Sequence, residues 1–240
     1  MSRSEPQKTA IVDNFVADAC NEFVEILYQD DDILLINKPS GLFSLSGKNP
    51  ENWDSVHYRL VHGQEGHTPA FPNAILPHRL DMGTSGIMVV GLNAMAGQHL
   101  NKQFQTRTIQ KRYMAMLEGW VQNDEGEISA PIAKDNALFP CVKICQETGK
   151  AATSGYKVLQ RFDNPPRTLV QFTPITGRTH QLRIHSKTFG HPILGCDLYK
   201  SEHSEQLATR LQLHASELFF THPTSGQQIH ATCPCRFAHD

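Results

Sequence analysis

Apolar positions along this chain come in short bursts separated by polar turn formers, and only a few stretches repeat with helical spacing. Phe23 to Tyr28 and Asp32 to Asn37 are rich in Val, Ile and Leu and are divided by QDDD, a pattern that predicts a hairpin. KPSGLFSLSGKNP reads as loop. Trp53, Val56 and Leu60 recur at helical spacing and predict a helix over Asn52 to His62, ended by the Gly- and Pro-rich segment from Gly63 to Pro77. Gly86 to Leu92 is apolar throughout, as a buried strand requires, and Asn93 is placed to cap a helix carrying Met95, Leu100 and Phe104. Lys111 to Trp120, Glu127 to Ile132, Thr153 to Phe162 and Thr168 to Pro174 predict further strands. TGRTHQLRIHSKTFG predicts a helix closed by Gly190 just past its end. Leu213 to Thr221 and Gln228 to Thr232, joined through PTSG, predict a last hairpin.

Strands grouped in hairpins, without regular strand-helix-strand alternation, predict an α+β fold: a mostly antiparallel mixed sheet flanked by helices and loops. The 240 residues suit one compact domain. The start of the chain is polar and then acidic, which predicts a loosely held arm over residues 1–22 before a single folded domain over 23–240.

Hydrophobic residues at 39% and charged residues at 19% describe a folded protein and exclude a disordered one. No apolar run approaches the roughly 18 residues of a membrane span, and MSRSEPQKTA lacks the apolar core of a signal peptide, so a cytoplasmic protein without membrane contact is expected. The six cysteines are scattered, which predicts free thiols. Cys233, Cys235 and His239 form a C-x-C-x3-H pattern that lacks the further ligands of a tetrahedral zinc site, so no metal is expected.

A net charge of −2 argues at first against a polyanionic partner. The distribution reverses that impression. Asp13 to Asp32 holds seven acids and no Lys or Arg, whereas Thr173 to Cys196 carries Arg178, Arg183, Lys187 and three histidines without an acid. Gln98 to Leu117 repeats the basic pattern with Lys102, Arg107, Lys111 and Arg112. Such segregation suits a positive surface for RNA, and it equally suits solvated helix faces.

Common catalytic signatures fail on spacing. GLFSLSGKN has five residues between its glycines and Asn after Lys, where a P-loop has four and then Ser or Thr. MGTSGIM is not the GxSxG of a hydrolase elbow, and HExxH, a Rossmann GxGxxG and the zinc-deaminase pattern are absent from the sequence. What remains is PHRLDMGTSGIMVVG, with Asp81 just ahead of a buried strand. Its residue types alone describe a turn former. Its place also suits a loop carboxylate held in a cleft by a rigid scaffold.

HRLDMGTSG resembles the signature of the RluA family of pseudouridine synthases. DDILLINKPSGL is similar to the family's first motif, KRYMAM to its tyrosine motif and PITGRTHQLRIHSKTFGHPILGCDLY to its third, in the family's order and at comparable spacings. The likeness runs from Phe23 to Phe237 and is strongest to short members that act on ribosomal RNA and on a tRNA anticodon loop.

The resemblance implies isomerisation of uridine to pseudouridine in a structured RNA, with no cofactor, metal or DNA involved. The N-glycosidic bond breaks, the uracil turns, and it rejoins the ribose through C5. Asp81 matches the family's catalytic Asp, which either adds to the base or ribose or abstracts a ribose proton. Arg183 matches the Arg that pairs with it and keeps it ionised, and Tyr113 matches the Tyr that stacks on uracil near C5. Arg79 matches the residue that fills the space left by the flipped base, with His78 assisting. Arg178, His180 and Lys187 are expected along the RNA, since His180, Arg183 and Lys187 would share one helix face. Lys38 and Pro39 are expected to fix the loop beside the cleft. Some members carry a small RNA-binding domain ahead of the catalytic one; the lead here is too short and acidic for that. The catalytic domain itself, acting as a monomer, is then expected to read the shape and unpaired bases of a stem-loop.

Two other classes compete. A noncatalytic RNA-binding or chaperone module on the same fold requires loss of Asp81, Tyr113 or Arg183, and all three are present. A hydrolase of the glycosidase type requires a second carboxylate across the scissile bond. The isomerase reading predicts a direct contact between the Asp81 carboxylate and the Arg183 guanidinium.

Overall fold

The computed structural model describes residues 15–201 and 203–238. Its elements are β1 (Glu25–Gln29), β2 (Ile33–Lys38), α1 (Val56–His62), β3 (Ser85–Gly91), α2 (Ala94–Thr106), β4 (Gln110–Glu118), β5 (Glu125–Ser129), β6 (Ile132–Lys134), β7 (Val142–Ile144), β8 (Thr153–Asp163), β9 (Pro166–Pro174), α3 (Gln181–Thr188), β10 (Leu213–Thr221) and β11 (Gln228–Thr232). Nine strands form one sheet in the order β1-β2-β3-β10-β4-β9-β8-β5, with β11 on the outer part of β10, while β6 and β7 pair separately. Among the described residues every strand pair is antiparallel except β3 with β10. This is the α+β, mostly antiparallel mixed sheet that the hairpin pattern predicts.

The parallel seam is short, with His214 beside Ser85 and Ala215 beside Gly86. Gly86 has φ +116°, and a Cβ there would stand 2.2 Å from the Ala215 carbonyl oxygen, so a side chain would force the strands apart. The core divides near this seam. Ile36, Leu60, Ile87 and Leu100 belong to one apolar cluster, and Leu117, Val170, Phe172 and Ile184 to a second. Tyr113 packs against both.

Caps set the helix ends. Asn93 Oδ1 accepts from Ala96 N at 2.9 Å, as its position predicts. The Gln103 side chain bonds both the N–H and the carbonyl of Thr221, at 2.9 and 2.7 Å, and so ties the last turn of α2 to the end of β10. Gly190, at φ +91°, closes α3: its N–H bonds Lys187 O while His191 N bonds Ser186 O, each at 3.0 Å.

Three boundaries differ from the sequence pattern. The helix expected over Asn52 to His62 begins only at Val56, because the Ser55 hydroxyl caps it by accepting from Tyr58 N; Trp53 lies outside it, exposed. The strand expected to reach Ile132 stops at Ser129, before Pro131, which has no N–H to donate to a ladder. The helix expected from Thr176 starts at Gln181, since His180 takes a left-handed backbone at φ +52°.

The segment just before β1 lies against α1. Arg59 donates to the Cys20 and Glu22 carbonyls, each at 2.6 Å, while its guanidinium pairs with Asp54. All six cysteines are free thiols, as expected, and Cys233 and Cys235 are buried. His239 of the zinc-like pattern lies outside the described residues. No described helix is long and apolar enough to cross a membrane.

Candidate active site

The loop that carries Asp81 is held by its backbone. Ser44 Oγ donates to Leu80 O at 2.8 Å and accepts from Leu80 N at 3.0 Å. Thr84 N closes a turn onto Asp81 O at 3.0 Å, Gly41 N reaches Met82 O at 2.9 Å, and Ser40 Oγ reaches Gly83 O at 2.7 Å. Lys38 is completely buried, and its ammonium donates to Pro39 O, Met82 O and Thr84 O at 2.8–2.9 Å. Every carbonyl from Leu80 to Thr84 therefore has a donor supplied by the KPSG loop, Ser44 or the turn itself. Burial pulls the Lys38 pKa down to about 7, with Cys20 and Asp81 opposing the shift. The structural duty expected of Lys38 and Pro39 is thus visible in these bonds.

Asp81 faces a cleft of about 370 Å³, within the roughly 300–1,000 Å³ usual for small-molecule sites. Arg79, Arg107, Lys111, Tyr113, Arg178, His180 and Arg183 also line it, and Asp81 is its only carboxylate among the described residues. Tyr113 stands on β4 opposite Ala215 and Phe172. Burial raises its pKa and the Asp81 charge raises it further, so it remains a phenol. Arg79 is exposed at the cleft, and Arg178 donates from Nε to Ala151 O at 3.1 Å.

The opposite wall is built by α3 and the segments flanking it. The Gln181 amide accepts from Thr176 Oγ1 and Arg178 N, and donates to Thr153 O and Ser154 Oγ, all at 2.7–3.0 Å. His180 Nε2 lies 3.9 Å from Asp81 Oδ1. Arg183 is buried and does not contact Asp81 directly; its guanidinium pairs with Asp197 and lies 3.4–3.5 Å from Cys196 Sγ. Burial opposes the Arg183 charge, but Cys196 and Asp197 outweigh it and raise the pKa. The predicted Asp81–Arg183 contact is therefore absent, because a carboxylate fourteen residues along the chain claims the guanidinium.

Two more expectations change. The face shared by His180, Arg183 and Lys187 does not form, since His180 is outside the helix; Lys187 is exposed and is not among the residues lining the cleft. His78 lines the cleft, but its Nε2 accepts from Val89 N at 3.1 Å and its ring stacks on Phe104 at 4.4 Å. Burial, reinforced by Lys111, lowers its pKa to about 3. It is a neutral anchor of the Asp81 loop to β3, without the charge to hold a phosphate.

Arg107, Lys111, Asp197 and Tyr199 carried no assigned role in the sequence, although Lys111 opens KRYMAM and Asp197 and Tyr199 close the third motif. The basic run from Gln98 to Leu117 pointed to the first two, and neither has a carboxylate partner among the described residues. Burial lowers the Lys111 pKa and Arg107 lowers it further, the signature of two cations facing one cleft without an anion. Tyr199 and Asp197 sit in an irregular segment where periodicity gives no signal.

A family model described as RNA pseudouridylate synthase matches residues 32–188. The chain is similar to the dual-specificity RNA pseudouridine synthase RluA of Yersinia pestis, 45% identical over 212 residues that cover 88% of this chain and 99% of that one. The corresponding protein of Escherichia coli (strain K12) is 42% identical over 213 residues, covering 88% and 93%. Among solved structures, human RNA pseudouridylate synthase domain containing 1 superposes with a TM-score of 0.74 at 27% identity, over 90% of this chain and 85% of that one.

Proposed function

Because the chain belongs to the RNA pseudouridylate synthase family, we propose that it isomerises uridine to pseudouridine within structured RNA, with Asp81 as the acting carboxylate. The observation that carries the role of Asp81 is its isolation: on a loop braced at every carbonyl, it is the single carboxylate among the described residues of a cleft whose charged lining is otherwise cationic and whose phenol is Tyr113. The reaction needs little more. The C1′–N1 bond breaks, a C1′–C5 bond forms, C5 loses its proton and N1 gains one, so atoms balance within one nucleotide.

The residues divide the work by position. Tyr113, kept as a phenol, offers a ring for the uracil to stack on beside Asp81. Arg79, exposed at the cleft, takes the space of the flipped base, at a flipping cost of a few kcal/mol. Arg107, Lys111 and Arg178 meet the phosphates that flank it. Arg183 sustains a positive potential near Asp81 without touching it.

The bacterial relatives are named dual-specificity enzymes. For this chain we read the substrates as a ribosomal RNA and a transfer RNA stem-loop, bound by a monomer in the cytoplasm. Asp81→Asn is expected to lower pseudouridine formation by on the order of 10³ or more while leaving thermal unfolding unchanged. Activity retained in that variant would remove Asp81 from the mechanism. Pseudouridine mapping in ribosomal and transfer RNA, with and without the gene, reads the substrates: sites lost from only one RNA class would rule out dual use.

A further inference from the structure

Tyr199 touches two of the basic groups in the Asp81 cleft, His180 and Arg183, without lining the cleft itself. It is 4% exposed, its ring lies 5.4 Å from the Arg183 guanidinium carbon, and its hydroxyl is 2.8 Å from Val142 N and 2.9 Å from His180 Nδ1. The donors and acceptors present point to one way of joining these groups. The Val142 amide can only donate, so it occupies a lone pair of the Tyr199 oxygen. Among the described residues His180 Nδ1 is the only acceptor bonded to this hydroxyl, so the arrangement that uses the phenol proton sends it to His180 and leaves Nδ1 bare. A neutral imidazole bonded in this way carries its proton on Nε2, the nitrogen 3.9 Å from Asp81 Oδ1.

The charge states agree with that chain. Burial raises the Tyr199 pKa, which keeps the hydroxyl proton in place. Burial lowers the His180 pKa, against the pull of Asp81, which favours the neutral ring. A second, independent observation is the backbone. His180 is one of two described non-glycine residues at positive φ, a conformation that costs roughly 1 kcal/mol or more, and such strain collects where a side chain must be aimed. Arg183 is engaged by Asp197, and His180 is the only basic side chain within 4.0 Å of the Asp81 carboxylate among the described residues.

We propose that Tyr199 and His180 form a fixed hydrogen-bond relay that positions the Asp81 carboxylate: Tyr199 sets the His180 tautomer, and the Nε2–H holds one carboxylate oxygen. The 3.9 Å separation closes to hydrogen-bond distance when RNA fills the cleft, as such contacts tighten in a bound complex. No proton is transferred. His180 is a positioning residue in this scheme rather than an RNA contact, and the scheme rests on the isomerase reading of Asp81.

The test uses Tyr199→Phe, His180→Gln and His180→Ala. A Gln amide can present an N–H where Nε2–H stood and Ala cannot, while both carry the same left-handed backbone strain. Single-turnover rate at saturating RNA, RNA Kd and histidine 15N shifts of the RNA-free protein are measured for each. His180→Ala should lower the saturating rate about 10- to 100-fold with Kd unchanged, the usual loss for a hydrogen bond to a charged group. His180→Gln should recover most of it. The wild-type shifts should report the Nε2–H tautomer, and Tyr199→Phe should mix the two tautomers and slow the saturating rate. A weakened Kd with an unchanged rate would make His180 an RNA contact and overturn the relay. So would a wild-type Nδ1–H tautomer, which is read even if a variant fails to fold. A wild type that makes no pseudouridine would sink the isomerase reading alone, and the nitrogen shifts would still decide whether Tyr199 sets the tautomer.

Discussion

The two walls of the cleft are fixed by different means. On the Asp81 side, Lys38, Ser40, Ser44 and Gly41 bind backbone carbonyls, which have no rotamers to change. On the α3 side, Gln181 and Tyr199 combine backbone and side-chain partners, and the pair that restrains Arg183 ends on Asp197, whose side chain is 62% exposed. One wall is preset by backbone acceptors, whereas on the other the buried Arg183 depends on a partner that reaches into solvent. The difference suits a site in which the carboxylate must not move while the facing wall adapts to a nucleic acid.

The sharpest way to break this comparison is a matched pair of substitutions. Lys38→Met removes the donor for three carbonyls in the interior and should cost about 3–5 kcal/mol in urea unfolding. Asp197→Asn, on the other wall, should cost less, about 1–2 kcal/mol, because it removes the opposite charge from the buried Arg183 guanidinium but leaves an amide oxygen to accept from it. Equal losses would mean that the two walls do not differ in rigidity.

Acid sharpens the comparison further, through a smaller and graded effect. His78 anchors the Asp81 loop with a pKa of about 3, and His214, at the β3–β10 seam, is lowered by burial to about 4; its Nε2 donates to Cys233 O at 3.1 Å and its Nδ1 accepts from Ser85. Both folded values lie below the unfolded value of 6.5, so the unfolded chain binds more protons between them. Their contribution is complete above pH 6.5 and is lost as pH falls toward 4 and then 3. The urea midpoint should already decline between pH 6.5 and about 5.5, above the range where ordinary carboxylates titrate, and continue to fall toward pH 4. A flat midpoint would show that both rings are charged in the fold.

Much of this was legible in the sequence because local rules governed it. The cap at Asn93, the Gly190 stop and the apolar strand before Leu92 each follow from side chains acting within a few residues, and the structure has them. Asp81 was legible only by resemblance, since its residue type and spacing equally describe a turn, and it does open one. His180 was misread because HQLRIHSK keeps helical spacing through it, and periodicity carries no information about a left-handed residue at the helix start. The partner of Arg183 was misassigned for a related reason: Asp197 lies in an irregular segment whose path is set by tertiary packing. The burial of Lys38 could not be read from its type, because lysine is rarely found so deep without partners, and those partners are backbone atoms.

The strand that joins the two larger core clusters comes late. β10 sits between β3 and β4, and its His214 bonds Ser85 across 129 residues of chain. A polypeptide synthesised as far as residue 200 already contains Asp81, Tyr113, His180, Arg183 and Tyr199, yet lacks the strand that sets β3 and β4 in one sheet. Contacts this distant close only after the chain between them exists. The Asp81 loop ahead of β3 and Tyr113 on β4 therefore share one sheet only once the last strands have emerged.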